Sequence, residues 1–174
     1  MGSQSTEQHR EEAADLPPCR VAVLTVSDTR TEATDMSGAI IRELIAAAGH
    51  EVVAYTISPD EPERIAQWVR SMADGGKVDA VLLNGGTGIS PRDGTFEAVS
   101  GLMERTLPGF GELFRMLSWE EVGAASMLSR AVAGLRGRTL IFSMPGSSNA
   151  VRLAMEKLIV PELAHLVFEM NKQA

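Results

Sequence analysis

The chain has 174 residues, with 16 Lys and Arg against 23 Asp and Glu, a formal charge of −7, and is 44% hydrophobic and 22% charged. This length and balance predict one globular domain that buries a core without staples, and they exclude a disordered chain. The acidity argues against nucleic acid or an anionic membrane as the main partner.

Residues 1–19 lack a periodic apolar face, end in Pro17-Pro18 and read as a disordered tail; residues 20–174 are the single domain. Four acids (Glu7, Glu11, Glu12, Asp15) against Arg10 give the tail a net −3, leaving −4 for the body. Met1-Gly2 with Thr6 fits a myristoylation pattern formally, but no polybasic segment follows, so chance or a cloning remnant is the simpler reading. Arg20 to Ser27 is an apolar, β-branched run suited to a buried parallel strand. Asp35 is placed to cap a helix with Ile40, Ile41, Leu44, Ile45 and Ala48 at helical spacing, stopped by Gly49. Glu51 to Ser58 is a second strand. A helix follows through Ile65, Trp68, Val69 and Met72, with Asp60 at its N-cap and Pro62 in its first turn. Val78 to Leu83 is the third strand and runs into Asn84-Gly85-Gly86-Thr87-Gly88. Glu97 to Met103, Phe110 to Trp119 and Glu121 to Ser129 read as short helices, and Arg138 to Ser143 as another strand. A long amphipathic helix, Ser148 to Met170, closes the chain, with Pro161 as a kink or break. This alternation predicts right-handed βαβ crossovers and a mostly parallel sheet covered on both faces, a three-layer α/β/α sandwich whose ligands bind at the carboxyl ends of the strands.

Several loops fall on that edge. The first is Asn84 to Thr95, where three glycines within four positions let N–H groups approach an anion. The following helix start adds its positive end. Arg92 suits phosphate oxygens, and the Asp93 carboxylate suits Mg²⁺. A tight structural turn, with Asp93 as an ordinary helix cap, is the plainer alternative. The loop is neither a P-loop nor G-x-G-x-x-G, which disfavours a nicotinamide cofactor. Ser27-Asp28-Thr29, Asp60 in Ser58-Pro59-Asp60-Glu61, and Met144 to Asn149 complete the edge. Phosphate-friendly helix starts around two acids point to a nucleoside triphosphate or a similarly phosphorylated ligand. Cys19 is the single cysteine, which excludes a disulfide framework and a multi-cysteine zinc site. It has no neighbouring base in sequence; His50 and His165 read as structural, and His9 lies in the tail. The methionines, among them Met103, Met116, Met127 and Met155, read as core or subunit-contact filler. No apolar run reaches the ~18 residues of a membrane span or forms a signal core, so a cytoplasmic protein is expected.

Taken together, TVSDTR (25–30), SPDEPERI (58–65), GGTGISPRDGTFEA (85–98), PGFGELFRMLSWEEVG (108–123) and MPGS (144–147) resemble the MoaB/MogA family of molybdenum cofactor biosynthesis proteins, related to the gephyrin G domain. The likeness runs from about Arg20 to Met170 and favours the MoaB branch. It implies adenylylation of molybdopterin by Mg-ATP, with release of pyrophosphate. Asp60 and Asp93 match the family's catalytic and metal-binding acids. Gly85, Gly86, Thr87 and Gly88 match its nucleotide loop, with Arg92 beside it. Ser27, Asp28, Pro145, Gly146 and Ser147 match pocket positions, and Ser129 and Arg130 border the same cleft. Where many relatives carry Val-Thr-Pro after the aspartate, this chain has Gly94-Thr95-Phe96. The resemblance further implies a homotrimer or homohexamer, with Leu113 to Trp119 as contact surface, and hand-over to other molybdenum cofactor enzymes. A non-catalytic molybdopterin-binding scaffold and a different Mg-dependent nucleotidyl- or phosphotransferase are the alternatives.

Overall fold

The computed structural model describes residues 16–172. The myristoylation-like start and most of the expected tail lie outside them. Cys19 does not belong to that tail. It is buried in the core, its N–H donates to His50 Nδ1 at 3.2 Å and its carbonyl accepts from Glu51 N at 2.9 Å. Burial pushes the Cys19 thiol up to about 11, which makes it a packing residue.

Four parallel strands form the middle of the molecule: β1 (Arg20–Val26), β2 (Glu51–Ser58), β3 (Ala80–Asn84) and β6 (Thr139–Met144). Two antiparallel strands, β5 (Val132–Arg136) and β4 (Arg105–Thr106), extend the sheet to the order β2-β1-β3-β6-β5-β4. Neither antiparallel strand is expected from the sequence. The segment Ala131 to Gly137 is short and holds two glycines, and β4 has two residues. Side chains alternate across the central strands. Val21, Val23, Leu82, Leu140 and Phe142 face one layer, and Ala22, Leu24, Val81, Leu83 and Ile141 face the other.

The first layer holds α1 (Met36–Ala47), α4 (Pro108–Val122), α5 (Ser148–Ala154) and α6 (Val160–Asn171), which contribute Ile41, Phe114, Val151 and Leu163. The second holds α2 (Pro62–Ala73) and α3 (Thr95–Ser100), which contribute Ile65, Val69 and Val99. This is the expected three-layer arrangement. The expected helix over Glu121 to Ser129 is corrected: α4 runs to Val122, Gly123 turns the chain at φ +60°, and a 3₁₀ turn follows over Gly123–Leu128. The closing helix is interrupted as expected near Pro161. A π turn occupies Met155–Ile159, the Val160 N–H reaches back to Met155 O, and α6 restarts with Pro161 in its first turn. No helix among the described residues is long and apolar enough to cross a membrane.

One buried polar group binds the first layer to the sheet. Asp35 caps α1 by accepting from Gly38 N at 2.9 Å. It also accepts from Thr25 Oγ1 at 2.5 Å and Tyr55 Oη at 2.7 Å. Asn84 Nδ2 donates to the same Thr25 oxygen at 2.9 Å, so β1, β2, β3 and α1 share one network. Burial alone would raise the Asp35 pKa, but these three bonds and nearby Arg30 bring it below the ordinary carboxylate value. The same environment pushes the Tyr55 phenol up to about 12. Because the folded pKa of Asp35 lies below its unfolded one, its contribution is complete above the unfolded value and fades as pH falls through the folded one. Asp35→Ala leaves two hydroxyls and a helix N–H without their acceptor and is expected to cost about 3 kcal/mol or more at neutral pH. Urea unfolding of the variant against wild type, repeated at acid pH where the difference should shrink, checks both magnitude and sign.

Candidate functional site

The carboxyl ends of β1, β3 and β6 open into a cleft of about 630 Å³. Its floor is the loop after β3. Gly85 sits at φ +102° and Gly86 at φ +63°, in the left-handed region that side chains avoid. Space is as restrictive as torsion. A Cβ on Gly85 would strike the Val26 carbonyl, and one on Gly86 would strike Thr95 Oγ1 and the Asp60 carboxylate. Gly85 N donates to Met144 O at 3.0 Å, which ties the floor to the turn after β6.

The cleft collects Gly85, Gly86, Thr87, Gly88, Asp93, Ser129, Pro145, Gly146 and Ser147. Ser147 caps α5, accepting from Ala150 N at 3.3 Å. The far wall is α4 and the 3₁₀ turn, which present Ser118, Glu121 and Ala125. Asp93 stands between this cleft and a smaller hollow of about 360 Å³ beside Pro62 and Ile89 to Gly94. It is not the cap of α3: that helix starts at Thr95 behind Gly94, while the Asp93 carboxylate accepts from Ser90 N at 2.8 Å.

The remaining expected residues gather just outside the cleft. Asp60 is not the cap of α2, whose N-cap is Glu61 without a side-chain bond. Instead Asp60 reaches across to accept from Gly94 N at 3.2 Å, behind Gly86. Arg92 turns outward and pairs with Asp28 at 2.7 and 3.0 Å, and Asp28 also accepts from Asp60 N at 3.3 Å. Ser27 Oγ accepts from Thr29 N and Arg30 N and so shapes its own loop. Arg130 braces the glycine loop, donating to Thr87 O at 3.4 Å and Asp93 O at 2.9 Å. It also pairs with Glu97 and lies over the Phe96 ring at 5.1 Å. The departure at Phe96 thus supplies the face on which Arg130 stacks.

Ser37, at the helix start that follows the Ser27-Asp28-Thr29 loop and whose hydroxyl is suited by sequence to an anion, instead donates to Gly146 O at 2.8 Å. Arg30, which lines the cleft, is not among the residues the sequence singles out. It stands neither in a glycine loop nor beside the two acids, and its only sequence signal is its place in the loop after the first strand.

No group of three or more His, Cys, Asp or Glu gathers to hold a metal among the described residues. Mg²⁺ on a polyphosphate needs only one or two protein carboxylates, the rest of its shell being phosphate and water. Asp93 on the wall and Asp60 behind the loop fit an ion that arrives with its ligand rather than one held in a protein cage. Thr95 Oγ1, buried without a partner, lies on the same side of Gly86 as Asp60.

A glycine-floored cleft at the carboxyl edge of a parallel sheet is where proteins of this α/β class hold their small-molecule ligands. The family model described as "Probable molybdopterin binding domain" matches residues 22–165. Molybdenum cofactor biosynthesis protein B of Halalkalibacterium halodurans is 53% identical over 169 residues, 97% of this chain and 98% of that protein. A crystal structure of molybdenum cofactor biosynthesis protein B superposes with TM-score 0.88 at 53% identity, over 91% of this chain and all of that one. The tungsten cofactor synthesizing protein MoaB from Pyrococcus furiosus gives 0.78 at 38%, over 87% and 96%. The chain therefore belongs to the MoaB/MogA family of molybdenum cofactor biosynthesis proteins, on its MoaB side.

Partial burial, together with the nearby Asp93 and Asp28 charges, raises the Asp60 pKa, against the bond from Gly94 N and the Arg92 charge. A folded pKa above the unfolded one means that the Asp60 carboxylate weakens the fold, a cost that appears as pH rises through that window. Asp60→Asn keeps the acceptor for Gly94 and is expected to raise the melting temperature at pH 7. The gain should disappear below the unfolded carboxylate pKa, and a melting series from pH 3 to 8 reads this directly.

Proposed function

We propose that the protein adenylylates molybdopterin with Mg-ATP, releasing pyrophosphate. The terminal phosphate of molybdopterin attacks the α-phosphorus of ATP, a new P–O bond forms, and the bond to the β-phosphate oxygen breaks. Such a displacement needs no protein nucleophile, only alignment and charge stabilisation. One observation carries the reading: Asp93 stands in the wall of a glycine-floored cleft in which no Cys, His or Lys is found among the described residues. Amide groups of Gly86 to Gly88 approach the phosphates, while the Gly85 N–H stays bonded to Met144 O. Arg130 and Asp60 hold that loop from behind. Mg²⁺, held on the phosphates by Asp93 with Asp60 behind it, would neutralise charge on the leaving pyrophosphate.

The same reading has the protein acting as a homo-oligomer. Leu113, Met116, Trp119 and Val122 recur along α4 and continue into Met127 and Leu128 of the 3₁₀ turn. Trp119 is 61% and Met127 77% exposed, an apolar stripe suited to contact with further copies. Because α4 also walls the cleft, subunit contact there would steady the site. The placement of Asp60 behind the loop favours a second reading, a molybdopterin-binding scaffold without turnover.

Pyrophosphate release from purified molybdopterin and Mg-ATP separates the two. Asp93→Asn keeps an acceptor for Ser90 N and is expected to lower that release by about 100-fold or more with an unchanged melting temperature. Wild-type rates in the variant would sink the catalytic assignment of Asp93. Molybdopterin binding without pyrophosphate release by wild type would leave the scaffold reading.

A further inference from the structure

Of the arginines near the site, two are already committed. Arg92 is paired outward with Asp28, and Arg130 spends its fork on Thr87 O, Asp93 O and Glu97. Among the described residues lining the cleft, Arg30 is the one cationic side chain. We infer that Arg30 is the phosphate-recognising residue of this cleft, engaging a phosphate oxyanion of the ligand through its guanidinium fork. This deepens the function proposed above and rests on it for the identity of the phosphates that arrive.

The surroundings of Arg30 suit that task. Its Nη1 lies 3.6 Å from the buried Asp35 carboxylate, close enough for charge attraction but too far for a good hydrogen bond. Asp35 does not need it as a donor, because Thr25, Tyr55 and Gly38 N already occupy both carboxylate oxygens. The carboxylate therefore anchors the cation without consuming the fork. Nη1 makes a long bond to Ser37 Oγ at 3.5 Å, and Ser37 in turn donates to Gly146 O. Arg30 is thereby linked to the Pro145-Gly146-Ser147 turn across the cleft edge. A planar fork held in this way, opposite glycines whose amides can approach an anion, is matched to the paired oxygens of phosphate. A salt bridge serving only the fold would leave Asp35 short of donors when removed, and here it does not.

The phosphate could be the monoester of molybdopterin or the polyphosphate of ATP. Titration calorimetry on the full chain with inorganic phosphate, inorganic pyrophosphate, Mg-ATP and molybdopterin distinguishes them. Arg30→Gln is expected to weaken binding by roughly 10- to 100-fold, the loss of a charge-assisted bond. Loss with pyrophosphate and Mg-ATP assigns the polyphosphate, and loss with phosphate and molybdopterin assigns the monoester. Arg30→Lys should recover part of the affinity, and the salt dependence of binding should be shallower in Arg30→Gln than in wild type. Unchanged affinity for all four ligands in Arg30→Gln overturns the inference. So does a matching collapse of melting temperature in both variants, which would make Arg30 a strut. Binding needs no turnover, so a wild-type protein that releases no pyrophosphate refutes the adenylylation reading and leaves the role of Arg30 to the titrations.

Discussion

The structure depends on how closely the ends of β1, β3 and β6 converge. Gly85 leaves β3 against the Val26 carbonyl of β1 and bonds to Met144 at the end of β6. Gly146 approaches it from the other side, with the place of its missing Cβ only 3.0 Å from Gly85 Cα. Three chain segments thus cross where backbone packs on backbone, and the cleft lies directly above that crossing. A side chain at either position would push the strand ends apart and fill the floor. The close approach that shapes the sheet edge therefore also keeps the floor of the cleft free of side chains.

Two aspartates stand on either side of this crossing in contrasting circumstances. Asp35 is fully enclosed, yet its oxygens are satisfied by two hydroxyls and an amide, so the protein solvates the charge. Asp60 is only partly enclosed and accepts one amide while facing two other carboxylates. The first is an investment in the fold. The second stores unfavourable charge beside the cleft, where a cation arriving with a phosphorylated ligand would relieve it.

Parts of this were readable from the chain alone. β1, β3 and β6 are long apolar runs, and their alternation places residues on both faces. The glycine loop and Asp93 are contiguous, so local spacing suffices to find them. β5 is not legible because Gly134 interrupts it and three of its five residues are only partly buried, which blurs the strand pattern. The ending of α4 turned on Gly123, whose left-handed torsion outweighed the helical spacing beyond it. Asp60 looked like a cap because it precedes Pro62, but its partner, Gly94, is 34 residues away. Local spacing marks Asp35 as a helix cap, but its links to Arg30 and Tyr55, and that of Ser37 to Arg30 and Gly146, run between separate segments or across a loop, and no local pattern announces them.

The π turn at Met155–Ile159 has a geometric effect on the whole C-terminal segment. Val151, Met155, Ile159, Leu163 and Val167 are all buried and recur every four residues. In an uninterrupted α-helix, at about 100° per residue, the first and last of these would point about 160° apart. Accommodating one extra residue in the wide turn cuts that divergence to about 60°, so the stripe stays on the sheet from end to end. The turn acts as a phase correction between a four-residue sequence repeat and a 3.6-residue helix. Winding the same residues as uninterrupted α-helix would swing Leu163 and Val167 off the core, whereas deleting one residue from the turn would let a regular α-helix keep them there.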